Sequence, residues 1–154
     1  MSNVGQRERI TQNRIVHLFQ TDLGYRYLGN WQDRSGNKNI EVDILVHWLQ
    51  NRGISDALIN RAIRQLDTAA ALGEGKKLYY ANKDVYRLLR YGIKDKEGAG
   101  HQNETIWLID WKNPDANDFA IAEEVTLQGE NKKRPDIVLY VNGIALGVIE
   151  LKRS

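Results

Sequence analysis

Residues 134–152 read RPDIVLYVNGIALGVIELK, and this stretch decides the fold class. Two apolar runs, Ile137 to Val141 and Ile144 to Leu151, flank the pair Asn142-Gly143. Asn-Gly between apolar runs is the strongest short hairpin signal, because both central residues of the tight turn need positive φ. The runs are therefore expected as antiparallel neighbours. In a hairpin the start of one strand lies beside the end of the next, so Asp136 and Glu150 are placed together, away from the turn. Glu150 and Lys152 are two positions apart and share a face, with Leu151 turned the other way.

That arrangement has a chemical reading. Two facing carboxylates repel unless a cation lies between them. Mg²⁺ takes oxygen ligands and keeps several waters. Asp136, Glu150 and the backbone carbonyl of Leu151 offer three oxygens, leaving room for waters and a phosphate oxygen. Lys152 would orient the attacking water or stabilise the phosphorane. A bland reading stands beside this one. Glu-x-Lys at a strand end is commonly an exposed ion pair, and Asp after Pro commonly starts a turn or strand. Geometry alone leaves both open.

Upstream, Phe119 to Leu127 reads as a strand carrying Glu123 and Glu124, one for each side of the sheet. Which of them faces the acidic end is open. Thr105 to Trp111 reads as another strand, stopped by Asn113-Pro114. The first half has helical period. Gln6 to Gln20 places Ile15, Leu18 and Phe19 on one face, and Glu8 on the same face or in an exposed first turn. Ile40 to Asn51 is a second helix. A third starts at the N-cap Ser55, carries Leu58, Ile59, Ala62, Ile63 and Leu66, and closes near Gly73. A fourth begins near Asn82 and closes at Gly92. Residues 30–39 and 94–103 are polar loops. Trp48 and Trp107 read as core, while Trp31 and Tyr91 are candidate base-stacking contacts. The expected fold class is α/β, a mixed α+β sheet flanked by helices. It forms one domain over 1–154, helical over about 6–93 and strand-rich and catalytic over about 104–152.

The formal net charge of the 154 residues is only +2, so charge does not announce nucleic-acid binding. Lys132, Lys133, Arg134 and Arg153 are the local cations nearest the acidic end, and candidate phosphate contacts. There is no cysteine, hence no disulfide or thiolate ligand. The three histidines lack metal-ligand spacing. No apolar run approaches the ~20 residues that cross a bilayer, and the N-terminus lacks the apolar core of a secretory signal. A cytoplasmic protein with no membrane partner is expected.

Pro135-Asp136 and Glu150-Leu151-Lys152 resemble the PD-(D/E)xK nuclease signature, which is loose as a text pattern. The flanking words are more specific. ERITQNRIVHLF, LGYRYLGNW, YRLLRYGIK, IDWKNPDANDFAIAEEVT and the terminal RPDIVLYVNGIALGVIELKRS resemble the N-terminal nuclease domain of type I restriction enzyme R subunits. The resemblance implies a restriction-endonuclease-like core with Asp136, Glu150 and Lys152 as catalytic residues. It implies Mg²⁺ as cofactor and Glu8 as a further acid near the metal. It also implies double-stranded DNA as substrate, the methylation and specificity subunits as partners, and ATP only for motor domains that this chain lacks. Two departures matter: the family's helix with Gln-x-x-x-Tyr does not follow Lys152, and no phosphate-binding glycine loop is present. The chain is therefore expected to be a fragment truncated after the Glu-x-Lys strand, weakly active or inactive alone. Two rival readings are a non-catalytic docking or DNA-binding module of the R subunit, and a PD-(D/E)xK nuclease of other DNA metabolism.

Overall fold

A computed structural model describes residues 3–73, 75–127 and 133–152, with side chains described from residue 5 onward. The chain forms two compact units. A sheet unit takes residues 1–41 and 118–154, and a helical unit takes Val42–Asn117. Helices and strands therefore do not divide along the chain as the sequence suggests, because the first helix and a first strand belong with the sheet. Among the described residues no helix is long and apolar enough to cross a membrane.

In the sheet unit, α1 (Asn3–Thr21) leads to β1 (Arg26–Asn30), β4 (Phe119–Glu123), β5 (Ile137–Val141) and β6 (Ile144–Ile149). The strand order is β1-β4-β5-β6, with β1 parallel to β4 and the other two pairings antiparallel. The mixed sheet with helices is the α/β class that the sequence suggests. β1 carries no alternation of its own, since its burial runs exposed, exposed, half-buried, half-buried, exposed, and periodicity does not reveal it.

Alternation along β4 and β5 builds two apolar layers. Ile121 and Ile137 meet Val16 of α1, with Ile15, Phe19, Leu139 and Ile149 packed around them. Ala120, Ala122, Val138 and Tyr140 line the opposite layer with Trp31 against Tyr140. The inward face of α1 is therefore Gln12, Ile15, Val16 and Phe19, whereas Leu18 is 45% exposed. Trp31 is a packing residue too: its Nε1 donates to Leu28 O and Arg34 stacks on its ring.

The β5–β6 hairpin forms about Asn142-Gly143 as expected. Asn142 has φ 51 and Gly143 φ 82. Near the turn, Val141 faces Ile144 and Tyr140 faces Ala145. A one-residue bulge then intervenes, so that Leu139 faces Gly147 and Ile137 faces Ile149. Leu146 is the extra residue. Without it, counting outward from the turn would put Asp136 opposite Ile149; with it, Asp136 and Glu150 leave the ladder side by side.

In the helical unit, α2 (Val42–Asn51), α3 (Asp56–Ala70) and α4 (Leu78–Tyr91) precede a two-stranded hairpin of β2 (Ile93–Asp95) and β3 (Glu104–Ile106). Ser55 Oγ accepts from Leu58 N, the expected N-cap. α3 ends at Ala70, short of Gly73, and α4 starts four residues before Asn82. Gly92 closes α4 with φ 75, and a Cβ there would lie 2.6 Å from Thr105, so glycine is required. The expected strand from Thr105 ends at Ile106. Trp107 is 43% exposed and is not core, because β3 stops before it and the chain bends.

Asn142 combines left-handed backbone with two ties to Asp118, the residue just before β4: its N–H donates to Asp118 O, and its Oδ1 accepts from Asp118 N at 2.7 Å. Replacing it with Gly keeps the turn but loses the side-chain bond, costing about 1–2 kcal/mol. Replacing it with Ala adds left-handed strain of roughly 1 kcal/mol more. Urea denaturation of both variants should therefore rank wild type above Asn142→Gly above Asn142→Ala; equal stability of the two variants would contradict the turn's role.

Candidate active site

Beyond Ile137 and Ile149 the two strands of the hairpin end, and the acidic residues follow. Asp136 is half-buried, Glu150 and Lys152 are exposed, and all three lie at the same end of the hairpin. One contact joins the two motif halves: Leu151 N donates to Asp136 Oδ2 at 2.6 Å. Leu151 is the residue between Glu150 and Lys152, so the Asp136 carboxylate is seated on the Glu-x-Lys backbone. Among the described residues, no ion pair engages Asp136, Glu150 or Lys152.

Asp136 is also held from the other side. Its carbonyl accepts from Glu124 N at 2.9 Å, and Arg134 Nε lies 2.9 Å from Glu124 Oε2. The Arg134-Pro135-Asp136 segment is thus pinned to the end of β4 by a backbone bond and an ion pair. Arg134, expected as a phosphate contact, is engaged with Glu124. Lys133 is exposed. Lys132 and Arg153 lie outside the described residues.

The expectation that Glu123 and Glu124 face opposite sides does not hold. Glu123 ends β4 on the layer of Ile121, facing α1. Glu124 has φ 52, a left-handed residue that breaks the alternation. Both carboxylates consequently meet one residue: Gln12 Nε2 donates to Glu123 Oε2 at 2.6 Å and to Glu124 Oε1 at 3.3 Å. An amide nitrogen carries two hydrogens, so one side chain serves both acids. Tyr27 Oη donates to Glu123 Oε1 at 2.5 Å, and Arg9 stands 3.9 Å away. Glu123 is 6% exposed and Gln12 3% exposed. A carboxylate so deep is tolerable only because donors replace its lost water.

Gln12 and Tyr27 were not singled out by sequence reasoning. Gln12 carries a signal in retrospect, a polar residue on the stripe of Ile15, Val16 and Phe19. Glu8 lies one helical turn before Gln12 and is half-buried. Among the described residues no three His, Asp or Glu side chains are grouped as a metal-binding set, so Glu8 does not complete one with Asp136 and Glu150. The donors present are two carboxylates and main-chain oxygen. That set suits a hard cation that retains several waters.

A family model described as the type I restriction enzyme R protein N terminus matches residues 5–154. The chain belongs to this family. Among relatives of this R-protein N-terminal domain, a putative type I restriction enzyme MjaVIIIP endonuclease subunit of Methanocaldococcus jannaschii is 39% identical over 140 residues, covering 86% of this chain and 13% of the relative. The type I restriction enzyme HindI endonuclease subunit of Haemophilus influenzae is 25% identical over 161 positions, covering 99% of this chain and 15% of the relative. The chain thus spans about a seventh of the length of these relatives.

The Glu123 network has a pH signature. Burial, chiefly, and the bond to Glu123 push the Tyr27 phenol up from 10.0 to about 12. Below pH 10 folded and unfolded Tyr27 are both protonated. Between pH 10 and about 12 the unfolded state releases its proton first, so stability falls as pH rises through that window. Tyr27 is 38% exposed, so water screens part of the effect. Buried Tyr140, also raised to about 12, behaves alike. Urea midpoints at pH 9 and pH 11 should therefore drop less for Tyr27→Phe than for wild type, without the drop vanishing. An identical drop in both would disconnect Tyr27 from the network.

Proposed function

We propose that this domain is the Mg²⁺-dependent endonuclease module of a type I restriction enzyme, hydrolysing phosphodiester bonds of double-stranded DNA. The observation that carries the reading is the 2.6 Å bond from Leu151 N to the Asp136 carboxylate. In a chain of this family, it joins Pro-Asp to Glu-x-Lys at one strand end. The relatives' names as endonuclease subunits support the reaction class.

Asp136 and Glu150, with the Leu151 carbonyl, would hold the Mg²⁺. When bound, the ion neutralises charge on the phosphodiester and makes a coordinated water more acidic. The chain's own residues do the rest. Leu151 N–H fixes one carboxylate oxygen of Asp136 and so sets its rotamer. The Glu124–Arg134 brace keeps the segment carrying Asp136 from swinging away. Exposed Lys152, two residues after Glu150, would bring an ammonium to the scissile phosphate, where it orients the attacking water and offsets charge on the phosphorane. Exposed Lys133 meets the DNA backbone nearby. In the whole enzyme the specificity subunit would choose the site, the methylation subunit would complete the assembly, and ATP would drive motor domains elsewhere in the R subunit.

Thermal stability followed against Mg²⁺ or Mn²⁺ tests the ion. At a hundred times its dissociation constant, a bound ion stabilises by about 2.7 kcal/mol. Asp136→Ala should abolish that gain, and in the assembled enzyme Asp136→Ala or Lys152→Ala should lower cleavage about a hundredfold or more. A melting temperature indifferent to the metal indicates a docking module, and undiminished cleavage by Asp136→Ala ends the nuclease assignment.

A further inference from the structure

The helical unit holds a second place where charge and flat apolar surface are built together. After β3, the chain runs Trp107-Leu108-Ile109-Asp110-Trp111-Lys112 around an open cavity of about 510 Å³, which Arg90 of α4 also borders. Trp107 and Trp111 are 43% and 49% exposed. Neither ring is on a loose tether. Trp111 Nε1 donates to Leu89 O at 2.8 Å. The Trp107 ring rests over Gly92, close enough that a Cβ there would lie 3.3 Å from it.

The loop is fixed from within. Asp110 Oδ1 accepts from Lys112 N at 3.0 Å and Asn113 N at 2.9 Å, and Asn117 Oδ1 accepts from Asp110 N at 2.8 Å. Asp110 Oδ2 pairs with Arg52 at 2.9 Å. The Asn113 N–H above all, with Arg52, holds the Asp110 carboxyl below its usual range, so it stays ionised at the cavity with Arg52, which also lines it, as its counter-charge. Arg90 and Lys112 are left as the cations facing the cavity, with Arg90 5.4 Å from the Trp111 ring centroid. A guanidinium stacked on an indole widens the flat platform and keeps its charge.

Two held, exposed indoles gain nothing in folding from the surface they leave wet, and a rigid apolar patch rimmed by charge marks a binding site. Flat rings with cations at their edge match a nucleobase and its phosphate. A cavity of this volume takes one drug-sized group. Bases inside a duplex are stacked on one another and cannot lie on these rings. We propose that this pocket binds an unpaired nucleotide of a DNA strand, base on Trp107 and Trp111 and phosphate on Arg90 and Lys112. DNA as the source rests on the nuclease reading; the affinity for base with phosphate does not.

Fluorescence anisotropy of a labelled eight-nucleotide oligothymidylate, with the 154-residue chain in EDTA, tests the site without any metal chemistry. Stacking on an aromatic platform predicts that Trp107→Ala weakens binding about tenfold. Arg90→Glu and Lys112→Glu, both on exposed side chains, should weaken it similarly and flatten its salt dependence. Lys38→Glu, the same charge reversal on an exposed side chain of the sheet unit, should bind nearly as wild type does, which separates this pocket from a general effect of charge. Circular dichroism melts confirm that each variant folds. No binding by wild type, or equal binding by all folded variants, overturns the proposal. Displacement of the oligonucleotide by equimolar thymidine monophosphate replaces the DNA strand with a free nucleotide. Equally tight binding of a blunt duplex removes the requirement for an unpaired base.

Discussion

The pairing of Ile137 with Ile149 is the contact on which the acidic end depends. Side chains alternate with period two, so a slip of one residue sends every side chain to the other face. The Asn142-Gly143 turn starts the ladder in one register, and the Leu146 bulge moves it by one residue. Only after that shift does Asp136 stand level with Glu150. The Leu151 N–H that grips Asp136 is then within reach, with Glu150 and Lys152 exposed on either side of it in the chain. A bulge re-aims side chains that a regular ladder would leave misaligned.

The rest of the sheet unit stabilises that register from both sides. Ile121 and Ile137 lie against α1, and Ala122, Val138 and Tyr140 fill the opposite layer. Into the layer under α1 the chain inserts the polar pair Gln12 and Glu123, and the burial of the carboxylate is made tolerable by Gln12 and Tyr27. The same amide reaches Glu124, whose own backbone and ion pair hold the Arg134-Pro135-Asp136 segment. Removing any single donor would leave a buried carboxylate short of partners, a change that costs more than an ordinary surface hydrogen bond. α1 is therefore tied to the segment that carries Asp136 through polar contacts as well as through packing.

Much of this was legible in the residues. The hairpin was written in Asn-Gly between apolar runs, and the helices in their stripes, Ser55 and Gly92. The acids at the hairpin's open end were legible because pairing rules place strand ends together. β1 escaped because five residues without alternation carry no periodic signal, and its parallel partner β4 is distant in the chain. Trp107 was misread because an apolar run says nothing about where a strand bends. The opposed faces expected of Glu123 and Glu124 failed because alternation holds only while the backbone stays extended, and Glu124 is left-handed.

What the sequence by itself determined is local: which segments are helices or strands, that β5 and β6 pair, and which charged residues stand at their open end. Propensity, period and turn chemistry act over a few residues, and a chain states them directly. What only the tertiary structure decided is which distant groups share a hydrogen atom: Gln12 with Glu123 and Glu124, Tyr27 with Glu123, and Leu151 with Asp136. Those bonds form after the sheet has chosen its strand order and its bulge, and no spacing along the chain encodes them.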